Sequence, residues 1–312
     1  MRYELKVSGG QLKPRASLAL ENLGNIDLHH TTHGLRHPLG IFNLTFGEIV
    51  AKSTVLLDKL DDACQKLPYL DPKATSWDQE LLDATDHLLD AIMQHLDGFR
   101  SVICCFYEDC GSKPAQKVLR ALGQDIRDYR DHVAKIVNAI KHKQCRLSTF
   151  FFHDIGIFVP GYFVEGVLRD GAVGPDPDIH RGANVAISYN RDLPFHFCNL
   201  FYTGAFLAQH IYSITGVSPT KQSKSDDALE EVLKRIAARP MMFFPDELKK
   251  PTPLVRYIPG KRNDAATILL EMPSKRFKPR TVPPGCRAQT SWKGDGVSRT
   301  FKVPYFGNDA PN

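Results

Sequence analysis

Residues 127–159 read RDYRDHVAKIVNAIKHKQCRLSTFFFHDIGIFV, and the fold turns on them. In the first half, Tyr129, Val133, Ile136 and Ile140 recur at three- and four-residue intervals, the stripe of an amphipathic helix. From Leu147 to Val159 the chain is rich in β-formers instead: Phe150, Phe151, Phe152, Ile155, Ile157 and Phe158. A helix is therefore expected to end near His142, with a strand following at once.

Toward the N-terminus the stripe extends back through Leu119, Leu122 and Ile126, giving one long helix after Pro114. An earlier helix starts at the capping-box pattern Ser76-Trp77-Asp78-Gln79 and carries Leu82, Leu89, Ile92, Leu96, Phe99, Ile103 and Phe106. Residues 43–67 form another, with Phe46, Ile49, Val50, Leu57, Leu60, Cys64 and Leu67 on one face and Pro68 ending it. Three amphipathic helices joined by short breaks predict an up-and-down bundle.

Toward the C-terminus, strands are predicted at Gly161–Leu168 and Ala183–Tyr189, with a turn at Asp170-Gly171 and a loop over 174–177. Helical character resumes at Phe195–Ile214. A short helix follows Ser225-Asp226-Asp227, with Leu229, Val232, Leu233 and Ile236 on one face. Beyond Pro240, seven prolines from Pro251 to Pro284 forbid long helices, leaving short strands at Ala266–Leu270 and Thr300–Val303. The expected fold is mainly α. It has a helical bundle (1–239) with a small antiparallel β insertion at about 147–190, and an extended Pro-rich C-terminal arm (240–312) that wraps the core or a partner.

The composition, 42% hydrophobic and 24% charged over 312 residues, is that of a globular protein. No run of about 18 apolar residues is present and the N-terminus lacks a secretion-signal core, so no membrane partner and a cytoplasmic location are expected. Seven cysteines without a CxxC pair are expected as reduced thiols, Cys64, Cys104, Cys105 and Cys198 within apolar helical patterns. His29, His30, His33 and His37 lack a carboxylate or Cys at fixed spacing, and Asp176, Asp178 and His180 sit among turn-forming prolines, so no metal is expected. No GxGxxG, GxxxxGK[ST], GxSxG or HExxH motif occurs, and no cofactor is expected.

The formal net charge is +5, and its distribution is uneven. Between Ser274 and Phe306 stand Lys275, Arg276, Lys278, Arg280, Arg287, Lys293, Arg299 and Lys302 against Asp295 alone. Trp292, Phe301, Tyr305 and Phe306 interleave with them. Such a mixture suits RNA or another nucleic acid, through phosphate contacts and base stacking. It equally suits an arm that docks on a protein partner.

On a helical wheel Arg127, Asp131, Asn138 and His142 form one polar row opposite the apolar stripe. The simplest reading of that row is a solvated face. The sharper one is a functional face that meets a second subunit. Val137-Asn138-Ala139-Ile140-Lys141-His142 resembles the signature helix of the HEPN superfamily (higher eukaryotes and prokaryotes nucleotide-binding). Members are small helical bundles that often dimerise, and many are metal-independent ribonucleases of prokaryotic toxin and antiviral systems. Their signature is an Arg, commonly followed by Asn, with a His farther along the helix. The resemblance spans about 43–145 and extends toward the helix at 195–214. It implies a homodimer that binds or cleaves RNA, plausible in a defence or toxin setting, with Asn138, His142 and Arg127 as candidate catalytic residues. Val137 stands where the Arg is wanted and cannot stabilise charge at phosphorus. Arg127 with His132 also fits Arg-x4-His, though at about 100° per residue the two lie about 140° apart. Arg146 is another source of charge. The alternative is a catalytically inactive HEPN-like module for protein binding or assembly, which Val137 favours. A metal-dependent enzyme using the 29–37 histidines ranks below both.

Overall fold

A computed structural model describes residues 2–6, 12–24, 26–66, 76–154, 156–181, 185–217, 227–260, 265–272, 280–292 and 294–306. The long amphipathic segments form helices. α1 spans Arg15–Glu21, α2 Pro38–Lys66 and α3 Ser76–Cys104. The stripe residues Phe46, Ile49, Val50, Leu57 and Leu60 of α2 are buried together with Leu82, Leu89, Ile92, Leu96, Phe99 and Ile103 of α3. By length and composition α2 also meets the criterion for a membrane span, and a third of its most apolar window is buried inside the protein.

The segment expected as one helix is two, α4 (Lys113–Asp125) and α5 (Arg127–His142). The break falls at Ile126, at φ −100° and ψ −1°. Gly123, a poor helix former, weakens the last turn of α4. Asp125 is drawn aside to His210, whose Nε2 lies 2.8 Å from Oδ2. Both helices keep their apolar faces inward through Leu122, Ile126, Tyr129, Val133 and Ile136. Cys104, expected as a reduced thiol, is disulfide-bonded to Cys110 across the turn between α3 and α4.

After α5 the chain forms a hairpin of β2 (Leu147–Asp154) and β3 (Ile157–Val167), paired from Leu147↔Val164 to Asp154↔Ile157. The run 147–159 is thus two strands, reversed beside Gly156 at φ +70°, a backbone state that glycine adopts without strain. β4 (Val173–Pro175) overlaps the expected 174–177 loop, and the short helix α6 (Pro177–His180) follows it. β5 is only Ile187–Ser188, because Tyr189 already begins α7 (Tyr189–Thr215). α8 spans Asp227–Ala238 and buries Leu229, Val232, Leu233 and Ile236.

The mainly α expectation is overturned. Among the described residues, eight helices make up 53% and strands 18%, with a curled five-stranded antiparallel sheet and further sheets. The fold is mixed α/β. The region expected as an extended arm supplies β6 (Met242–Phe243), β7 (Leu254–Ile258), β8 (Thr267–Glu271), β9 (Arg280–Thr281) and β10 (Arg287–Thr290). β8 lies between β7 and β1 (Arg2–Lys6), which pairs antiparallel from Arg2↔Glu271 to Lys6↔Thr267. β10 extends the hairpin sheet, with Thr290 opposite Phe150. The strand expected at Ala266–Leu270 is β8, whereas the one expected at Thr300–Val303 is only an isolated bridge of Phe301 to Val173. The other strands are too short to announce themselves by period.

β3 is buried on both faces. Tyr162 and Val164 join the main helical core, where α7 is the central helix. Val159 and Phe163 point the other way, into a second core with Phe150, Phe152, Phe244 and Val282. Glu247, 1% exposed, pins that second core in place. Its carboxylate accepts from the Ser188 N–H at 3.0 Å, the Ser188 hydroxyl at 2.5 Å and the Phe244 N–H at 3.0 Å.

Candidate nucleic-acid interface

α5 buries Tyr129, Val133, Ile136, Val137 and Ala139, while Arg127, Asp131, Asn138 and His142 are exposed along its opposite face. Among the described residues, none of these four side chains has a hydrogen bond or ion pair. Val137, at the position of the family's Arg, is 3% exposed and faces the core. A guanidinium there would be carried inward, where an unpaired charge is costly.

His132 lies on the buried side of α5. Its ring meets Phe195 edge-on, centroids 5.1 Å apart, and burial lowers its pKa to about 4. Nearby, the Tyr129 hydroxyl lies 2.9 Å from His196 Nδ1, and His196 Nε2 lies 3.3 Å from Asp192 Oδ2. Tyr162 donates to the same Asp192 oxygen at 2.8 Å. Burial works against the Asp192 carboxylate, but His196, His132 and the Tyr162 hydroxyl hold its pKa below the ordinary value. This network joins α5, α7 and β3 in the interior. It separates His132 from exposed Arg127, so the pair does not form a common site.

Arg127 lines a different feature. The break at Ile126 leaves a cavity of about 560 Å³ bordered by α3, α4 and α5. Arg100, Arg120, Arg127 and Arg130 line it, together with Asp97 and Asp131. Its floor is apolar and includes the buried side chains of Leu96, Leu122 and Ile126. Arg130 is committed to Asp97 through Nη2 at 2.8 Å and Nε at 3.2 Å from Oδ1. Arg120 Nε donates to the Gln116 carbonyl at 3.1 Å. Arg100 and Arg127 are exposed and have no carboxylate partner among the described residues. The arrangement offers guanidinium groups to a phosphate, which they can bind in a bidentate manner. Phe99 is 1% exposed and offers no face for base stacking. Asn138 and His142 do not line this cavity. Arg100, Arg120 and Arg130 were missed in the sequence because they come from three helices and share no local motif.

Of the basic C-terminal residues, Arg280, Arg287 and Arg299 are exposed. Lys302 Nζ lies 2.8 Å from Asp170 Oδ2. Lys275, Arg276, Lys278 and Lys293 lie outside the described residues. Trp292 and Phe301 are in ring contact at 4.8 Å, and Tyr305 is tied to Asp246. These aromatic residues thus take part in the fold. His33 Nε2 lies 2.7 Å from the Tyr107 carbonyl oxygen, so that histidine fastens two loops together. Asp176 caps α6 by accepting from Asp178 and Ile179 N–H, and His180 Nε2 accepts from the Val164 N–H at 2.9 Å. Among the described residues, no group of three or more His, Cys, Asp or Glu is arranged to hold a metal ion. In comparisons with known proteins, the chain matches no protein-family model, no curated protein and no solved structure.

Proposed function

We propose that the protein is an RNA-binding module that grips backbone phosphates in the arginine cavity between α3, α4 and α5. The observation that carries this reading is the convergence of Arg100, Arg120, Arg127 and Arg130 on one cavity, with Arg100 and Arg127 exposed and without a carboxylate partner among the described residues. RNA, rather than another phosphate polymer, comes from the HEPN resemblance. Binding without cleavage is favoured because the cavity holds arginines but no histidine to move a proton. Val137 points inward, so α5 supplies no arginine beside Asn138 and His142 at that position.

The test is binding of a fluorescent single-stranded RNA over a salt series. Each phosphate contact on a single strand contributes a slope of about −0.7 to log K against log salt. Arg100→Ala with Arg127→Ala is expected to weaken binding at low salt and to flatten the slope by about 1.4. The RNA should remain uncut, and His142→Ala should bind as the parent does. An unchanged slope in the double variant, or loss of RNA cleavage on His142→Ala, would overturn the reading.

A further inference from the structure

A second cavity, of about 640 Å³, lies where the start of α3 meets the α5–β2 turn and the segment after β10. Its character is opposite to that of the arginine cavity. Asp78, Asp83 and Asp86 line it from α3, with Arg146 as the facing cation and Trp292 as an aromatic wall. Asp78 is the residue that gives the cavity a purpose. It is 7% exposed; the Ser291 and Thr149 hydroxyls hydrogen-bond its carboxyl group, but its Oδ1 atom has no hydrogen-bond partner among the described residues. A buried carboxylate oxygen left without a donor is costly, and a ligand carrying N–H donors and positive charge would satisfy it.

We propose that this cavity binds an organic ammonium ion of the polyamine class. Asp78 would accept from an ammonium group at the cavity's inner end, Asp83 and Asp86 would neutralise further amines nearer solvent, and Trp292 would offer its ring to the cation. A metal ion fits less well, because among the described residues these carboxylates do not converge into a metal-holding group. Among the described lining residues, three aspartates against one arginine disfavour a phosphate. The inference does not depend on RNA binding, because the two cavities share no lining residue.

The charged and titratable groups around Asp78 come from several elements. On its own helix are Asp83 and Asp86, with Lys141 of α5 acting on Asp86. Cys145 and Arg146 face the cavity from the turn, Glu165 of β3 sits behind Ser148, and Tyr189 of α7 feels the Asp78 charge. Burial raises the Asp78 pKa to about 6, against the lowering effect of the Ser291 and Thr149 hydroxyls. A bound cation would lower it again, so binding near pH 6 should release a proton.

Calorimetric titration with spermidine tests the proposal. Saturable binding is expected, weakening at least tenfold between pH 7.5 and pH 5, with proton release near pH 6 seen as heat that depends on the buffer. Asp78→Asn should weaken binding at least tenfold while the protein melts at the same temperature or higher. Asp86→Asn, at a more exposed position, should weaken it several-fold. Arg146→Gln, which removes the competing cation, should tighten it. No saturable binding of spermidine, binding indifferent to both aspartate changes, or weaker binding by Arg146→Gln would each overturn the proposal. Tighter binding of neutral disaccharides than of spermidine would do so as well.

Discussion

Gly161→Ala is expected to destabilise the fold by about 3 kcal/mol or more. A Cβ built on Gly161 would lie 2.3 Å from the Ile187 carbonyl oxygen and 2.5 Å from the Phe244 ring. Neither neighbour can yield freely. Ile187 belongs to β5, whose Ser188 pairs with Gly161 itself and is held by Glu247. Phe244 is fully buried against Phe150 and Phe152. Gly47→Ala is the matched control. It lies inside α2 with nothing within 4 Å of its added Cβ, and should gain up to about 1 kcal/mol from helix propensity. Urea denaturation of the two variants gives the comparison. A loss below about 1 kcal/mol for Gly161→Ala would mean that β3 and β5 are not packed as described.

Glu247→Ala should be of similar size, costing about 3–5 kcal/mol, because it strands the Ser188 N–H, the Ser188 hydroxyl and the Phe244 N–H in a buried site. Glu247→Gln separates charge from shape. Burial raises the Glu247 pKa to about 7, against the lowering pull of the Ser188 hydroxyl and N–H. Between its ordinary value of 4.5 and about 7 the folded state therefore binds more protons than the unfolded chain. This contribution is full below pH 4.5 and is lost as pH rises to 7. The stability of the parent relative to Glu247→Gln should fall by about 3 kcal/mol across that window. Buried His95, His132 and His180 act with the opposite sign. Burial lowers their pKa values to about 3, 4 and 3, so their contribution is lost as pH falls below 6.5. The difference between parent and variant isolates Glu247 because the histidines are common to both. A pH-independent difference would contradict the buried, raised carboxyl.

The helices were legible because each repeats its apolar residues over several turns. The break at Ile126 was not, since the stripe runs on through Leu122, Ile126 and Tyr129 while the backbone leaves the helix at Ile126. The aromatic run 150–158 announced strands, and the reversal beside Gly156 was its one unread detail. Of the C-terminal strands, Ala266–Leu270 was legible and is β8 within one residue, but its pairing with Arg2–Lys6 was not; Leu254–Ile258 and Arg287–Thr290 escaped because their partners, β8 and β2, lie outside any local pattern. Prolines there read as an arm, yet they flank strands rather than interrupt them. The polar row of α5 was legible on a wheel. The arginine cavity was not, because only the packing of three helices brings Arg100, Arg120 and Arg127 together. Asp78 was visible only as part of a helix start; the hydroxyls that hydrogen-bond it, Thr149 and Ser291, lie far along the chain.

The most direct test of RNA binding at the arginine cavity is hydrogen exchange with and without single-stranded RNA. Addition of RNA should slow amide exchange in 119–131 and around Arg100, and this protection should disappear in the Arg100→Ala, Arg127→Ala variant. Protection confined to 280–302, with 119–131 unchanged, would contradict the account.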